Sequence, residues 1–113
     1  MGAFGAGMTA KVLNNLLAAS STAMTRLVLD WADAEGVDEE RLLTLIGTAS
    51  GQNWLASGFD EIEFARDGYA ADNSIGILFK DVASALDIAP NGKTELPLAI
   101  QTAIRGLTPR RKR

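Results

Sequence analysis

Cysteine and histidine are both absent from this sequence of 113 residues. Without cysteine there are no disulfides and no thiolate metal ligands, and without histidine the commonest general base and the commonest zinc ligand are missing. Serine-histidine and cysteine-histidine catalysis are therefore excluded, and no metal is expected. Long apolar runs are also lacking: nothing approaches the roughly 18 uninterrupted apolar residues of a membrane span. Hydrophobic content of 47% with 22% charged residues belongs instead to a globular domain. No period-two alternation persists anywhere and no internal repeat occurs, so strands are not expected.

Basic charge is scarce except at one end. The net charge is −3, and setting aside the +4 of Arg110, Arg111, Lys112 and Arg113 leaves a body at −7. An acidic body argues against nucleic acid as a partner. The basic run follows Thr108-Pro109 with no aromatic interleaved, and reads as a solvated, mobile tail over 108–113. The start Met1-Gly2-Ala3-Phe4 has no positive charge before Lys11, and Asn14-Asn15 interrupts the apolar region, so a secretory signal is not expected. An acylation reading of Gly2 fails because position 6 is Ala. The expectation is a cytoplasmic, all-α protein with one helical domain over 1–107.

The helical pattern begins with a long segment from Met8 to Glu35, closed by Gly36. Val12, Leu13, Leu16, Leu17, Ala23, Met24, Leu27, Val28 and Trp31 form a broad apolar sector of this rod, and Lys11, Asn15, Ala18 and Thr22 a narrow stripe of small or polar residues. So much apolar surface predicts a rod at the centre of a bundle or at a subunit interface. Asp38 caps a second helix with Leu42, Leu43, Leu45 and Ile46 on its buried face, running to about Ala49. A shorter, irregular helical pattern carries Trp54, Leu55, Phe59, Ile62 and Phe64 across Gly58. After the turn-rich Arg66–Asn73, a cap at Asp72, Asn73 or Ser74 opens a fourth helix to about Asp87, and Thr94 opens a fifth over Leu96–Arg105.

Chemistry is expected on the first helix. Its glycine-rich lead-in, Gly2 to Gly7, follows no strand within the chain, so it does not match a dinucleotide loop. The glycines instead let other groups approach the helix start, whose free amides suit a small anion. Lys11 in the first turn faces the positive end of the helix dipole, which favours a neutral amine able to accept a proton from a hydroxyl. Asn15, four residues on, shares that face and can both donate and accept. Asn14 points about 100° away and reads as serving packing or a backbone contact. Lys80-Asp81 reads either as a surface charge pair or as an anchor for an anionic or polar group.

The run Gly5-Ala6-Gly7-Met8-Thr9-Ala10-Lys11-Val12-Leu13-Asn14-Asn15 resembles the G-x-G-x-x-x-K-x-x-N-N signature of the β-hydroxyacid dehydrogenases, typified by 3-hydroxyisobutyrate and tartronate semialdehyde reductases. Ser50-Gly51 followed by Trp54, the turn near Tyr69 to Asn73, and Phe79-Lys80-Asp81-Val82-Ala83-Ser84-Ala85-Leu86 agree in order. The resemblance implies the all-helical C-terminal half of such an enzyme, a bundle around one long helix like that of 6-phosphogluconate dehydrogenase-type enzymes. By the same resemblance, NAD or NADP is bound on a Rossmann domain that is absent from this chain. Hydride then passes between the nicotinamide and the carbon bearing the hydroxyl of a small 3-hydroxy acid. Lys11 matches the catalytic lysine, Asn15 the substrate-orienting asparagine, Gly7 the segment holding the substrate carboxylate, and Lys80 the lysine near the cofactor. The expected partners are a second copy in a homodimer and a separate Rossmann-domain chain. The alternative is a helical module that keeps the family fold and self-association without a reaction. A weaker third reading is a binder of small acidic ligands.

Overall fold

A computed structural model of the chain describes residues 3–111. Met1, Gly2, Lys112 and Arg113 lie outside the described residues, and with them the acylation reading of Gly2 and the last two cations of the basic tail. Five helices follow one another: α1 (Ala3–Ala34), α2 (Glu39–Gly47), α3 (Trp54–Ser57), α4 (Ser74–Asp87) and α5 (Glu95–Arg105). No strand occurs among the described residues.

The caps follow from local chemistry. Gly36 takes φ 75°, the left-handed conformation that ends α1, and Val37 N–H donates back to Ala32 O at 2.8 Å. Asp38 accepts from Arg41 N–H and opens α2. Asn73 accepts from Gly76 N–H at 2.9 Å and donates to Gly68 O at 2.8 Å, so one side chain both starts α4 and shapes the turn before it. Gly76 is required there, because a Cβ would lie 2.2 Å from Ala70 O. Thr94 precedes α5 without a side-chain cap bond, and Pro97 sits in the first turn, where no helical amide bond is lost.

Two boundaries differ from the sequence reading. The third helical pattern stops after four residues at Ser57, and residues 58–67 form successive turns, with Ile62 N–H and Glu61 N–H both donating to Gly58 O. More importantly, α1 begins at Ala3 rather than Met8. The alanines and Met8 between the glycines are strong helix formers, and propagation from the rest of a 32-residue helix is cheaper than starting anew.

Ala19 and Ala23 of α1 pack with Ile75, Leu78 and Val82 of α4 and Ile100 and Ile104 of α5 to make the main core. A second cluster, Leu29, Leu55, Phe59 and Ala65, lies under the C-terminal part of α1. The stripe that α1 turns inward is the small and polar one, continued by Thr22, Thr25 and the fully buried Arg26. Alanine and threonine allow α4 and α5 to approach closely. The large apolar residues Leu13, Leu17, Met24, Leu27, Val28 and Trp31 face outward, with Leu17 70% and Trp31 65% exposed.

No described side chain of α1 before Ala19 is fully buried, and of these Leu16 packs against the main core, so the start of the helix extends beyond the most closely packed part of the body. This overhang explains the elongated shape, 49 × 30 × 27 Å with a radius of gyration of 15.0 Å, against about 13 Å for a compact chain of this length. No described helix is long and apolar enough to cross a membrane.

The segment after α5 corrects the expectation of a solvated basic tail. Arg110 is buried and donates to Asp30 at 2.8 Å, to Asp33 at 2.6 Å and to Glu39 at 2.7 Å, and its backbone N–H donates to Arg66 O. The hydrogen bonds that Arg110 donates to Asp33 and then Glu39 raise its pKa further above its ordinary value, against the opposing effect of burial. Arg26 donates to Ala65 O at 3.0 Å, Asp67 O at 2.7 Å and Thr108 O, so the segment at Thr108 is bound to the middle of α1. Three carboxylates face Arg110 and draw it out of solvent. Arg111 is exposed.

Candidate functional site

The projecting part of α1 carries the residues singled out in the sequence. Gly7, Lys11 and Asn15 follow one another at four-residue spacing, within about 80° of the same side of the helix. That side is the one that, further along, carries Ala19, Thr22 and Arg26 and packs on the body. Lys11 and Gly7 are exposed and Asn15 is half-buried. Asn14 Nδ2 donates to Asn15 Oδ1 at 3.4 Å, a long bond on the exposed side, so Asn14 steers its neighbour's amide rather than packing.

Because α1 starts at Ala3, Lys11 is the ninth residue of the helix and not in its first turn. The free amides lie at the helix start, eight residues and about 12 Å before Lys11. The dipole decays within a turn, so it does not act on this lysine. Thr9 Oγ1 donates to Gly5 O at 2.8 Å, which further occupies the backbone ahead of it. Gly7 has open space where its Cβ would be, so nothing among the described residues demands a glycine there.

Helix α4 supplies the other wall. Lys80 is exposed on the side of α4 away from Ile75, Leu78 and Val82, and Asp81, about 100° around the helix, lies partly buried at the edge facing α1. Burial raises the Asp81 carboxyl pKa, and the positive charge of Lys11 opposes that shift. Lys11, Asn15 and Asp81 are thus brought to one region, and Lys80 lies on a different flank of the same helix. In the sequence Lys80 and Asp81 read as a pair. The helical angle between them is the signal that they diverge.

A concavity lies elsewhere: an open cleft of about 640 Å³ between α2 and the 56–61 segment, lined by Asp33, Asp38, Glu39, Leu43, Phe59 and Asp60 among others. It is acidic and carries neither Lys11 nor Asn15. The region around Lys11 is a helix flank with one wall, and its opposite side is open among the described residues.

A family model described as NAD-binding of NADP-dependent 3-hydroxyisobutyrate dehydrogenase matches residues 5–105, and the chain belongs to that family. It is 28% identical over 103 residues to mitochondrial 3-hydroxyisobutyrate dehydrogenase of Rattus norvegicus, covering 86% of this chain and 31% of that protein. The mitochondrial 3-hydroxyisobutyrate dehydrogenase of Bos taurus is 30% identical over 106 residues, covering 88% and 32%. L-threonate dehydrogenase of Cupriavidus necator is 30% identical over 97 residues, covering 86% and 32%. The chain therefore spans about a third of the length of the curated relatives it matches. No solved structure gives a match of comparable strength.

Proposed function

We propose that this chain is the substrate-side half of an NAD(P)-dependent β-hydroxyacid dehydrogenase, with Lys11 as the proton-transferring residue, Asn15 orienting the substrate, Gly7 admitting its carboxylate and Lys80 serving the cofactor. The observation that carries the reading is the uncovered flank of α1, with Gly7, Lys11 and Asn15 aligned on it and Asp81 at its base. The fit to a nicotinamide cofactor is that of one wall only: Lys80 offers an exposed cation, and the strand-glycine-helix unit that holds a pyrophosphate belongs to another domain. The cofactor, when bound, accepts or returns the hydride of the substrate carbon.

This chain's residues perform the remaining work. The Lys11 amine takes the proton of the substrate hydroxyl during oxidation and returns it during reduction. The Asn15 amide donates to and accepts from the same substrate without adding charge. Asp81 keeps a carboxylate near Lys11 and so biases where the ammonium rests. The substrate class is a small 3-hydroxy acid.

Gly7 separates a ligand role from a folding role. Within a helix an alanine is favoured over glycine by roughly 0.5–1 kcal/mol, and a Cβ at Gly7 meets nothing among the described residues. With the family's nucleotide-binding domain joined upstream or supplied as a separate chain, NAD(P)-linked oxidation of a 3-hydroxy acid is expected. Gly7→Ala should leave the melting temperature unchanged or higher while raising KM for the acid. Unaltered kinetics in Gly7→Ala would remove that glycine from the site, and no oxidation in either arrangement would leave a non-catalytic helical module.

The same reading includes a homodimer. Leu13, Leu17, Met24, Leu27, Val28 and Trp31 form one apolar stripe along α1, roughly opposite Lys11 and Asn15, and a second copy crossing this stripe about a twofold axis covers it without blocking the site. Light scattering should report a dimer that Leu17→Glu converts to a monomer. A wild-type chain that stays monomeric at high concentration contradicts this arrangement.

A further inference from the structure

Helix α2 is attached to the body in an unusual way. None of its residues is buried. Leu42 and Leu43 only partly cover the cluster of Leu29, Leu55, Phe59 and Ala65, and the open cleft of about 640 Å³ already lies along the helix. The strong attachments converge on its first residue. Glu39 accepts from Arg66 through both carboxylate oxygens, at 3.0 Å on Oε1, and from Arg110 Nε at 2.7 Å on Oε1. Each arginine is fixed from elsewhere: Arg66 stacks over the Phe59 ring at 4.8 Å, and Arg110 is tied to Asp30 and Asp33 of α1. The chain can bend on both sides of the helix, at Gly36 with φ 75° and in the exposed turn of Ser50 and Gly51.

From this geometry we infer that α2 is a flap over the acidic cleft, latched by the single carboxylate of Glu39 clamped between Arg66 and Arg110, and that it opens as a unit when that carboxylate loses its charge. A helix held by ion pairs rather than buried side chains has a local opening free energy well below that of the core. The other charged groups around the latch are Arg26, Asp30 and Asp33 on α1, Asp67 near Arg26, Asp60 at 3.7 Å from Arg66, and Asp38, Glu40 and Arg41 on α2 itself or beside it. The acidic ones share the two arginines with Glu39 or lie near it, so high salt weakens the clamp as well.

The sign of the pH effect follows. The Arg66 hydrogen bonds hold the Glu39 carboxyl below the ordinary glutamate range, with burial opposing them. A depressed folded value means the latch is intact above the ordinary glutamate pKa and is lost as pH falls through the depressed one. The flap is closed at neutral pH and opens in acid.

Hydrogen exchange read by mass spectrometry tests this on the chain as it stands. In Glu39→Gln at pH 7, exchange across residues 42–47 should rise about tenfold or more, with residues 19–29 of α1 and 75–85 of α4 unchanged. Arg66→Gln, which leaves the α2 sequence intact, should give the same local pattern. Wild-type protein, after correction for intrinsic rates, should show the rise below pH 4.5 or in molar salt, whereas Glu39→Gln should show no further step. Unchanged α2 exchange in both variants, or an equal rise in α1 and α4, overturns the latch. If either variant fails to fold, the wild-type acid and salt series decides, and α2 exchange that stays level through both series overturns the latch in the same way.

Discussion

Replacing Arg26 with methionine is expected to destabilise the domain by about 3 kcal/mol or more, the largest effect of any single substitution outside the hydrophobic clusters. Arg26 is 1% exposed and donates to the carbonyls of Ala65, Asp67 and Thr108, three points on two segments distant from α1 in sequence. Methionine fills similar volume but leaves those oxygens without a donor, at roughly 1–3 kcal/mol for each that water cannot reach. Ala65 O is the deepest of the three. Lysine is not a substitute, because one ammonium cannot span carbonyls that a planar fork reaches together. Burial lowers the Arg26 pKa, yet a guanidinium starts high enough to keep its charge. Against a total stability of about 5–15 kcal/mol, the loss should lower the melting temperature by roughly 10–20 °C. Circular dichroism melts of Arg26→Met and Arg26→Lys measure it, and a shift of only a degree or two would mean that the three carbonyls find other donors.

Lys11→Ala is expected to do the opposite: leave the fold intact and remove activity. The side chain is exposed on the projecting part of α1 and supports no core contact, so the melting temperature should stay within about a degree. In the assembled enzyme proposed above, loss of a positioned acid/base group lowers kcat by about 10²–10⁴-fold, equivalent to roughly 3–5 kcal/mol of barrier. Lys11→Arg should not restore turnover, since a guanidinium does not deprotonate in the working range. Turnover within tenfold of wild type in Lys11→Ala would remove this lysine from proton transfer and leave it a binding residue.

The two substitutions sit fifteen residues apart on one helix, and their contrast shows how α1 is divided. Before Ala19 no described side chain is fully buried, although Leu16 packs against the main core and Asp81 of α4 lies near Lys11. From Ala19 onward it is the spine of the bundle. The Glu39 latch lies at the far end of that spine, so flap opening and the chemistry proposed at Lys11 are at opposite ends of the rod.

Much of this is legible in the amino acids alone because it rests on interactions within a few residues. Asp38 and Asn73 act as caps through their own neighbours' amides, Gly36 ends α1 because only its backbone tolerates the left-handed turn, and Lys11 and Asn15 share a face because four residues make about one turn. The start of α1 is not legible in this way, because glycine propensity argues against helix locally while its cost is spread over the cooperative length of the rod. Nothing in the immediate sequence of Arg26 or Glu39 distinguishes either residue. Their partners lie 27 to 82 residues away.

The order of helices, their caps and the family signature were thus determined by the sequence itself, since periodicity and capping are local. Only the tertiary structure decided which stripe of α1 faces inward and that Arg110 is clamped rather than solvated. A close helix crossing selects small residues over large ones, and a cation's fate depends on carboxylates brought to it from distant segments. Neither is a property of any short stretch of chain.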